Sequence, residues 1–290
     1  MLLSFYGLEK VLTIGSMNEK EDTVHNQMIS ECMQVGLAAV REAGPLAMRY
    51  FRSPMHIRDK LQGGVFDPVT EADTKIERLI SLRLMQKYPN FRVVGEEFGE
   101  TGRGDPYWII DPIDGTRSFI SGMPTWGILL GLVVGEIAVG GIMHQPFTRE
   151  TYIADPLNGS RIVLASGEER RLFSRSSAKL DDAILYSTHP SMINAAGLES
   201  QYSKLSAICR MQRWGGDCYA FALLASGWID VVVDGMLQPY DIVPLIPIIE
   251  GAGGTVTDLL GNSPINGGTV VAAANRKLHT SALEILSRSK

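Results

Sequence analysis

From Met28 to Phe51 the apolar residues Ile29, Met33, Leu37, Val40, Ala43 and Ala47 recur at three- and four-residue steps. That spacing gathers them on one face and predicts an amphipathic helix. The polar, glycine-containing run Arg58-Asp59-Lys60-Leu61-Gln62-Gly63-Gly64 reads as a mobile loop. A second helix is predicted over Thr70–Lys87, with Ile76, Leu79, Ile80, Leu84 and Tyr88 inward, Thr70 as N-cap and Pro89 as the stop. Phe91 to Val94 is a short strand that runs into Gly95-Glu96-Glu97. Trp108-Ile109-Ile110 is a fully apolar strand that ends at Asp111.

Beyond these, Gly127–Val134 and Ile137–Met143 read as two strands joined at Gly135-Glu136, and 151–165 continues with strands and turns. Antiparallel sheet is therefore expected in the middle of the chain. The second half alternates: strands over 184–187, 229–233, 256–258 and 270–273, apolar helices over 217–227 and 241–251, and a helix at the C-terminal end. We divide the chain into an N-terminal extension over 1–25, disordered or an arm on a partner, an α+β part over 26–165 and an α/β part over 166–290 that completes the site. The apolar start of the extension is broken by Glu9 and Lys10 and has no basic segment before it, so it is a poor signal peptide and too short for a membrane span.

Composition narrows the function classes. The 290 residues are 45% hydrophobic, enough for a large core, and the net charge is −5 with no long basic run, which argues against nucleic acid as a partner. Cys32, Cys209 and Cys218 are odd in number and form no CxxC pair, which fits a reducing, cytoplasmic setting rather than a disulfide framework. P-loop, dinucleotide-fingerprint, HExxH and GxSxG patterns are absent.

The densest chemistry lies in Trp108-Ile109-Ile110-Asp111-Pro112-Ile113-Asp114-Gly115-Thr116. A dry strand delivers two carboxylates three positions apart, and Pro112 stiffens the turn between them. The acids and the Ile113 carbonyl suit magnesium, which takes oxygen ligands in tight octahedral geometry. The amides of Gly115 and Thr116, opening a helix, suit a phosphate. Asp and Gly are also ordinary turn residues. Three more acids lie in similar settings: Glu96 at a strand end, Asp73 in the first turn of a helix, and Asp241 where a turn gives way to a helix. Each alone reads equally as a solvated turn, a dipole-favoured carboxylate or an N-cap. Phosphatases of the haloacid-dehalogenase type space their two acids by one residue; here two residues intervene, which favours activated water over an aspartyl-phosphate. None of the five histidines lies in a motif, His144 and His189 included.

Together, Gly95-Glu96-Glu97, Asp111-Pro112-Ile113-Asp114-Gly115-Thr116 and Tyr240-Asp241, in that order, resemble the inositol-monophosphatase superfamily over nearly the whole chain from about residue 26. The resemblance implies an α+β fold, a layered αβαβα sandwich, assembled as a homodimer. It implies that Glu96, Asp111, Asp114, Asp241 and the Ile113 carbonyl bind Mg2+, about two or three ions per site. Glu96, Thr116 and Asp73 would form the catalytic group, with Thr116 and Asp73 orienting water and Gly115 and Thr116 holding the phosphate of a small phosphate ester.

Two segments, Arg117 to Gly127 and Arg213 to Ala220, further resemble the histidinol-phosphate phosphatase branch, which implies hydrolysis of L-histidinol phosphate in histidine biosynthesis. Tyr240 stands where inositol phosphatases usually have tryptophan, and Asp217 where they have a small residue. Arg213, Asp217 and Asp234 are the substrate-contact candidates. A carboxylate suits the amine and imidazole of histidinol phosphate, since an unpaired buried acid penalises a neutral polyol. Asp217 also reads as a helix N-cap. An inositol or broad sugar-phosphate phosphatase is the second reading, and a catalytically silent anion-binding protein the third.

Overall fold

The computed structural model describes residues 19–54, 57–59 and 68–287. The first helix, α1 (Glu19–Tyr50), begins nine residues before Met28. Its opening Glu-Lys-Glu-Asp turn consists largely of good helix formers and holds no apolar residue, so hydrophobic periodicity does not mark it. Of the 1–25 extension, residues 1–18 lie outside the described residues and 19–25 are helical. The expected 58–64 loop is corrected at its start. Arg58 and Asp59 belong to β1 (Ile57–Asp59), which pairs antiparallel with β2 (Pro68–Thr70), while 60–64 lie outside the described residues. Helix α2 (Glu71–Lys87) starts at the expected cap: Thr70 Oγ1 accepts from the Ala72 amide, and Asp73 closes the capping box.

The larger sheet has eight strands: β3 (Arg92–Gly95), β4 (Gly99–Thr101), β5 (Tyr107–Asp114), β6 (Gly127–Val134), β7 (Ile137–Gln145), β8 (Glu150–Asp155), β9 (Gly159–Val163) and β10 (Glu169–Arg171). Their order is β10-β9-β8-β7-β6-β5-β3-β4, antiparallel throughout except for β3 against β5. The smaller sheet, in the order β12-β11-β13-β15-β14, is built from β11 (Ile184–Ser187), β12 (Met211–Trp214), β13 (Val231–Leu237), β14 (Thr255–Asp258) and β15 (Gly268–Ala273). The remaining helices are α3 (Thr116–Ser121), α4 (Pro190–Ala195), α5 (Glu199–Ile208), α6 (Asp217–Ala225), α7 (Pro239–Ile242), α8 (Leu245–Gly251) and α9 (Arg276–Ser287).

Helices α1 and α2 cover one face of the larger sheet, α6 and α8 lie between the sheets, and α4, α5 and α9 cover the far side of the smaller one. This is the layered αβαβα sandwich that the resemblance implied. It explains why β6 reads Gly-Ile-Leu-Leu-Gly-Leu-Val-Val with every residue buried, since both of its faces are covered. The helix expected over 241–251 is two helices, α7 and α8, separated at Val243 and Pro244. Among the described residues no helix is long and apolar enough to cross a membrane.

The break at Pro244 has a packing consequence. A Cβ added to Gly141 on β7 would lie 1.8 Å from the Pro244 carbonyl oxygen. The α7–α8 turn therefore rests directly on sheet backbone, and Asp241, three residues earlier, is brought down beside β5. At Gly36 on α1 the obstacle to an added Cβ is instead the tip of the Leu130 side chain, at 2.8 Å. Backbone cannot yield as a side-chain tip can. We therefore predict that Gly141→Ala destabilises the protein by about 3 kcal/mol, at the upper end for overpacking, while Gly36→Ala stays within about 1 kcal/mol of wild type because alanine also favours the helix. Urea unfolding of the two variants checks this; equal losses would show that the turn is not seated on the sheet as described.

Candidate metal and phosphate site

On a regular strand, residues three apart face opposite sides, so Asp111 and Asp114 on an ideal β5 would diverge. The structure departs from regularity at that point. Asp111 pairs with Leu129 and Asp114 with Gly127, so β5 advances three residues while β6 advances two. This bulge turns both acids towards one place. Pro112, with no N–H to leave unpaired, occupies it, and the Ile113 amide donates to Asp111 Oδ1 at 3.0 Å. The strand expected to end at Asp111 thus continues, bent, to Asp114. Gly115 then adopts φ 80°, a left-handed conformation that glycine takes at no steric cost. The Thr116 hydroxyl closes the turn by donating to the Ile113 carbonyl at 3.1 Å.

Asp241 arrives from α7, where its carboxylate accepts from the Gln238 amide at 2.7 Å. Asp111, Asp114 and Asp241 each present a carboxylate oxygen, and the three atoms lie within 4.8 Å of one another. Glu96 joins from the end of β3. Its amide donates to the Ile110 carbonyl at 3.2 Å, and its carboxyl shares a hydrogen bond with Asp111. Four acids from three separate stretches of chain are thereby brought together, with the Ile113 carbonyl on the same turn.

Burial, then the charges of Glu96, Asp114 and Asp241, push the Asp111 carboxyl well above its ordinary range. Asp114 is raised by burial and by Asp241 and Asp217, against a 2.7 Å hydrogen bond from the Cys218 amide at the start of α6. Burial carries Asp241 up to about 7. Carboxylates so placed cannot all ionise without counter-charge. An oxygen-only donor set with excess negative charge is what a hard divalent cation requires, so these residues fit magnesium.

Asp73 lies one helix start away and is also raised by burial, to about 7, with Glu97 and Glu96 adding to the shift. It takes its hydrogen bonds from the Thr70 amide at 2.8 Å and the Thr70 hydroxyl at 2.5 Å. Four residues later on the same helix, Glu77 accepts from the amides of Glu97 and Phe98. Sequence reading did not single out Glu77; the signal for it was Gly95, which leaves room for its carboxylate.

Asp217 opens α6 at φ 44°, unusual for a residue with a side chain. The hydroxyls of Ser118 and Thr125 each donate to its Oδ2 at 2.6 Å. A Cβ added at Gly115 would sit 2.9 Å from the Asp217 side chain, so glycine is required there twice over. Asp217 is not the N-cap of α6, a position held by Gly216, and its charge acts on Asp114. Asp234 is placed otherwise than a direct substrate contact requires. It is 1% exposed, and its carboxylate accepts from Ser187 Oγ at 2.9 Å, the Thr188 amide at 2.7 Å and Thr188 Oγ1 at 2.8 Å. With burial raising its pKa to about 6, it anchors the Thr188 turn. Arg213 stands exposed on the edge strand β12, and no polar contact links its guanidinium to the acids among the described residues. His144 is core: its Nδ1 meets Thr151 Oγ1 at 2.9 Å, and burial lowers its pKa to about 4. His189 caps α4.

Known proteins resemble this chain in both sequence and fold. Residues 28–290 match the model of the inositol monophosphatase family. The chain is 36% identical to the bifunctional phosphatase IMPL2, chloroplastic, of Arabidopsis thaliana, over 95% of this chain and 82% of that one. It is 34% identical to a histidinol-phosphatase of Chlorobaculum parvum, over 85% of this chain and 93% of that one. Among solved structures, an inositol monophosphatase from Zymomonas mobilis superposes with a TM-score of 0.76 at 31% identity, covering 94% of this chain and all of that one.

The raised carboxyls give a pH prediction. Between their ordinary value of 3.8 and about 7, Asp73 and Asp241 hold protons in the folded protein that the unfolded chain has released. In that window rising pH lowers the stability of the metal-free fold, whereas divalent ions bind the deprotonated acids. The gain in Tm from adding MgCl2 to EDTA-treated protein should therefore grow steadily from about pH 4 to pH 7. Thermal scans with and without magnesium check this; a gain that does not vary with pH would contradict it.

Proposed function

This chain belongs to the inositol monophosphatase family of phosphatases, and we propose that it is a magnesium-dependent phosphomonoesterase that converts L-histidinol phosphate to L-histidinol and phosphate. The observation that carries the reading is the approach of Asp111, Asp114 and Asp241 to within 4.8 Å, with Glu96 hydrogen-bonded to Asp111. Magnesium in that nest would neutralise the phosphoryl oxygens and lower the pKa of a water. Glu96, Asp111, Asp114, Asp241 and the Ile113 carbonyl hold the ions. Gly115 and Thr116 take the phosphate. The Thr116 hydroxyl and Asp73 orient the attacking water; Thr70 occupies Asp73 Oδ2, which leaves Oδ1 as the acceptor. Assembly as a homodimer belongs to the same reading.

Substrate choice rests on Asp217. Its carboxylate is 8% exposed and lies close enough to act on Asp114. Ser118 and Thr125 satisfy one oxygen and leave the other for a cation on the leaving group. A buried acid of this kind discriminates against a neutral ester, which would leave it unpaired. Asp234 supports the Thr188 turn, and Arg213 is assigned to the outer part of the substrate path. The name of the Chlorobaculum parvum relative favours histidinol phosphate. The likeness to the Zymomonas mobilis protein supports the second reading, an inositol or sugar-phosphate phosphatase.

Two variants test the proposal. Asp111→Asn should reduce phosphate release by about 10³-fold or more, on the scale of losing a main source of transition-state stabilisation. Near-normal turnover at saturating magnesium would remove the assignment. Asp217→Asn should raise KM for histidinol phosphate about 10-fold or more while changing KM for inositol 1-phosphate little, a loss of the order of one charge-assisted hydrogen bond. Equal effects on the two esters in a steady-state panel would refute the specificity role.

A further inference from the structure

We infer that Glu77 is the positioning residue for Glu96, and that through Glu96 it sets how tightly the site holds its divalent ion. The inference rests on the proposed reading of Glu96 as a metal ligand. Glu77 lies on α2, 1% exposed. Its carboxylate accepts from two consecutive amides just past Glu96: Glu97 N at 2.7 Å and Phe98 N at 3.0 Å. On the other side of Glu96, a Cβ added to Gly95 would fall 1.9 Å from Glu77 Oε1. A single carboxylate thus holds the backbone after the ligand by hydrogen bonds and packs closely against the backbone before it.

The chemistry of this clasp is costly for a purely structural device. β3 turns back into β4, with Gly95 paired to Gly99, so the amides of residues 97 and 98 sit in the turn and need acceptors. A neutral acceptor would satisfy them. The chain instead buries a carboxylate beside Glu96 and Glu97, whose charges oppose its ionisation. Asp73 and Glu77 are four residues apart and share a face of α2, and both feel the charges of Glu96 and Glu97. The helix therefore lays two buried acids along the same loop, Asp73 towards the water and Glu77 beneath the ligand. Extra negative charge behind a metal ligand raises its attraction for a cation, and charged acceptors hold amides more tightly than neutral ones. The Arg78 guanidinium, 5.3 Å from the centre of the Phe98 ring, packs on the outer side of the turn.

Glu77→Gln keeps the shape but removes the charge and one acceptor oxygen. Calorimetric titration of the full chain with MgCl2 alone, without substrate, should show the Mg2+ dissociation constant raised about 10-fold or more, the usual range for losing an outer partner of a metal ligand. The Tm in EDTA should fall only modestly, because one amide loses its acceptor, and kcat should largely return at saturating magnesium. Unchanged Mg2+ affinity in Glu77→Gln, with or without a fall in Tm, overturns the inference and leaves Glu77 as scaffold. Gly95→Ala gives an independent arm. It displaces the same carboxylate without deleting it, so it should weaken Mg2+ in the same direction, and unchanged affinity there also overturns the inference. Glu96→Gln separates the two claims. If it leaves Mg2+ affinity intact, the ligand assignment itself fails; if it weakens Mg2+ while Glu77→Gln does not, only the positioning role fails.

Discussion

The structure is organised around the mutual repulsion of carboxylates in a place too buried to dissipate it. Asp111, Asp114, Asp241 and Glu96 converge where desolvation and like charge together hold Asp111, Asp114 and Asp241 towards their protonated forms. Such a cluster is unfavourable by itself, and the fold keeps it by backbone constraint. A bulge re-aims one strand, a left-handed glycine follows it, and a turn is pressed onto sheet backbone. Each of these restricts chain freedom so that the acids cannot relax apart. The same electrostatic excess gives the site its function, because multivalent cations relieve it.

Around the four acids the chain arranges partners that hold orientation rather than contribute charge of opposite sign. The Cys218 amide at the head of α6 meets Asp114, the Gln238 amide meets Asp241, and the Ile113 amide meets Asp111. Ser118 and Thr125 hold Asp217, and Ser187 and Thr188 hold Asp234. Neutral donors fix the ligands without neutralising them, which leaves the full negative charge for ions. Arginine, which would compete with a metal, is kept to the exterior in the cases of Arg213 and of Arg83, paired with Glu42 on the surface.

Much of this was legible in the sequence, for reasons that differ by element. The two long helices announced themselves by period, and Thr70 by its cap position. The Asp-Pro-Ile-Asp-Gly-Thr segment was readable because a rigid turn after a dry strand leaves few other arrangements. The start of α1 was not visible, since a solvated helical turn carries no apolar period. The division of 241–251 into α7 and α8 was masked by a continuous apolar run in which two prolines were the only punctuation. Asp234 looked like a ligand-facing acid because the resemblance sets it where inositol phosphatases carry a substrate-contacting glutamate, but position along the chain does not show who donates to it; Ser187 and Thr188 come from another strand end. Glu77 was hidden for the same reason, as its partners lie twenty residues away across a strand. Gly95 and Gly141 were local traces of close approaches that tertiary packing defines.

The central claim, that these four acids form one cation cage, is tested most directly by anomalous diffraction from crystals soaked in manganese chloride. The account predicts peaks at coordination distance from carboxylate oxygens of Asp111, Asp114, Asp241 and Glu96, on the side of the Ile113 carbonyl. Manganese bound elsewhere, with no peak among those oxygens, would contradict it.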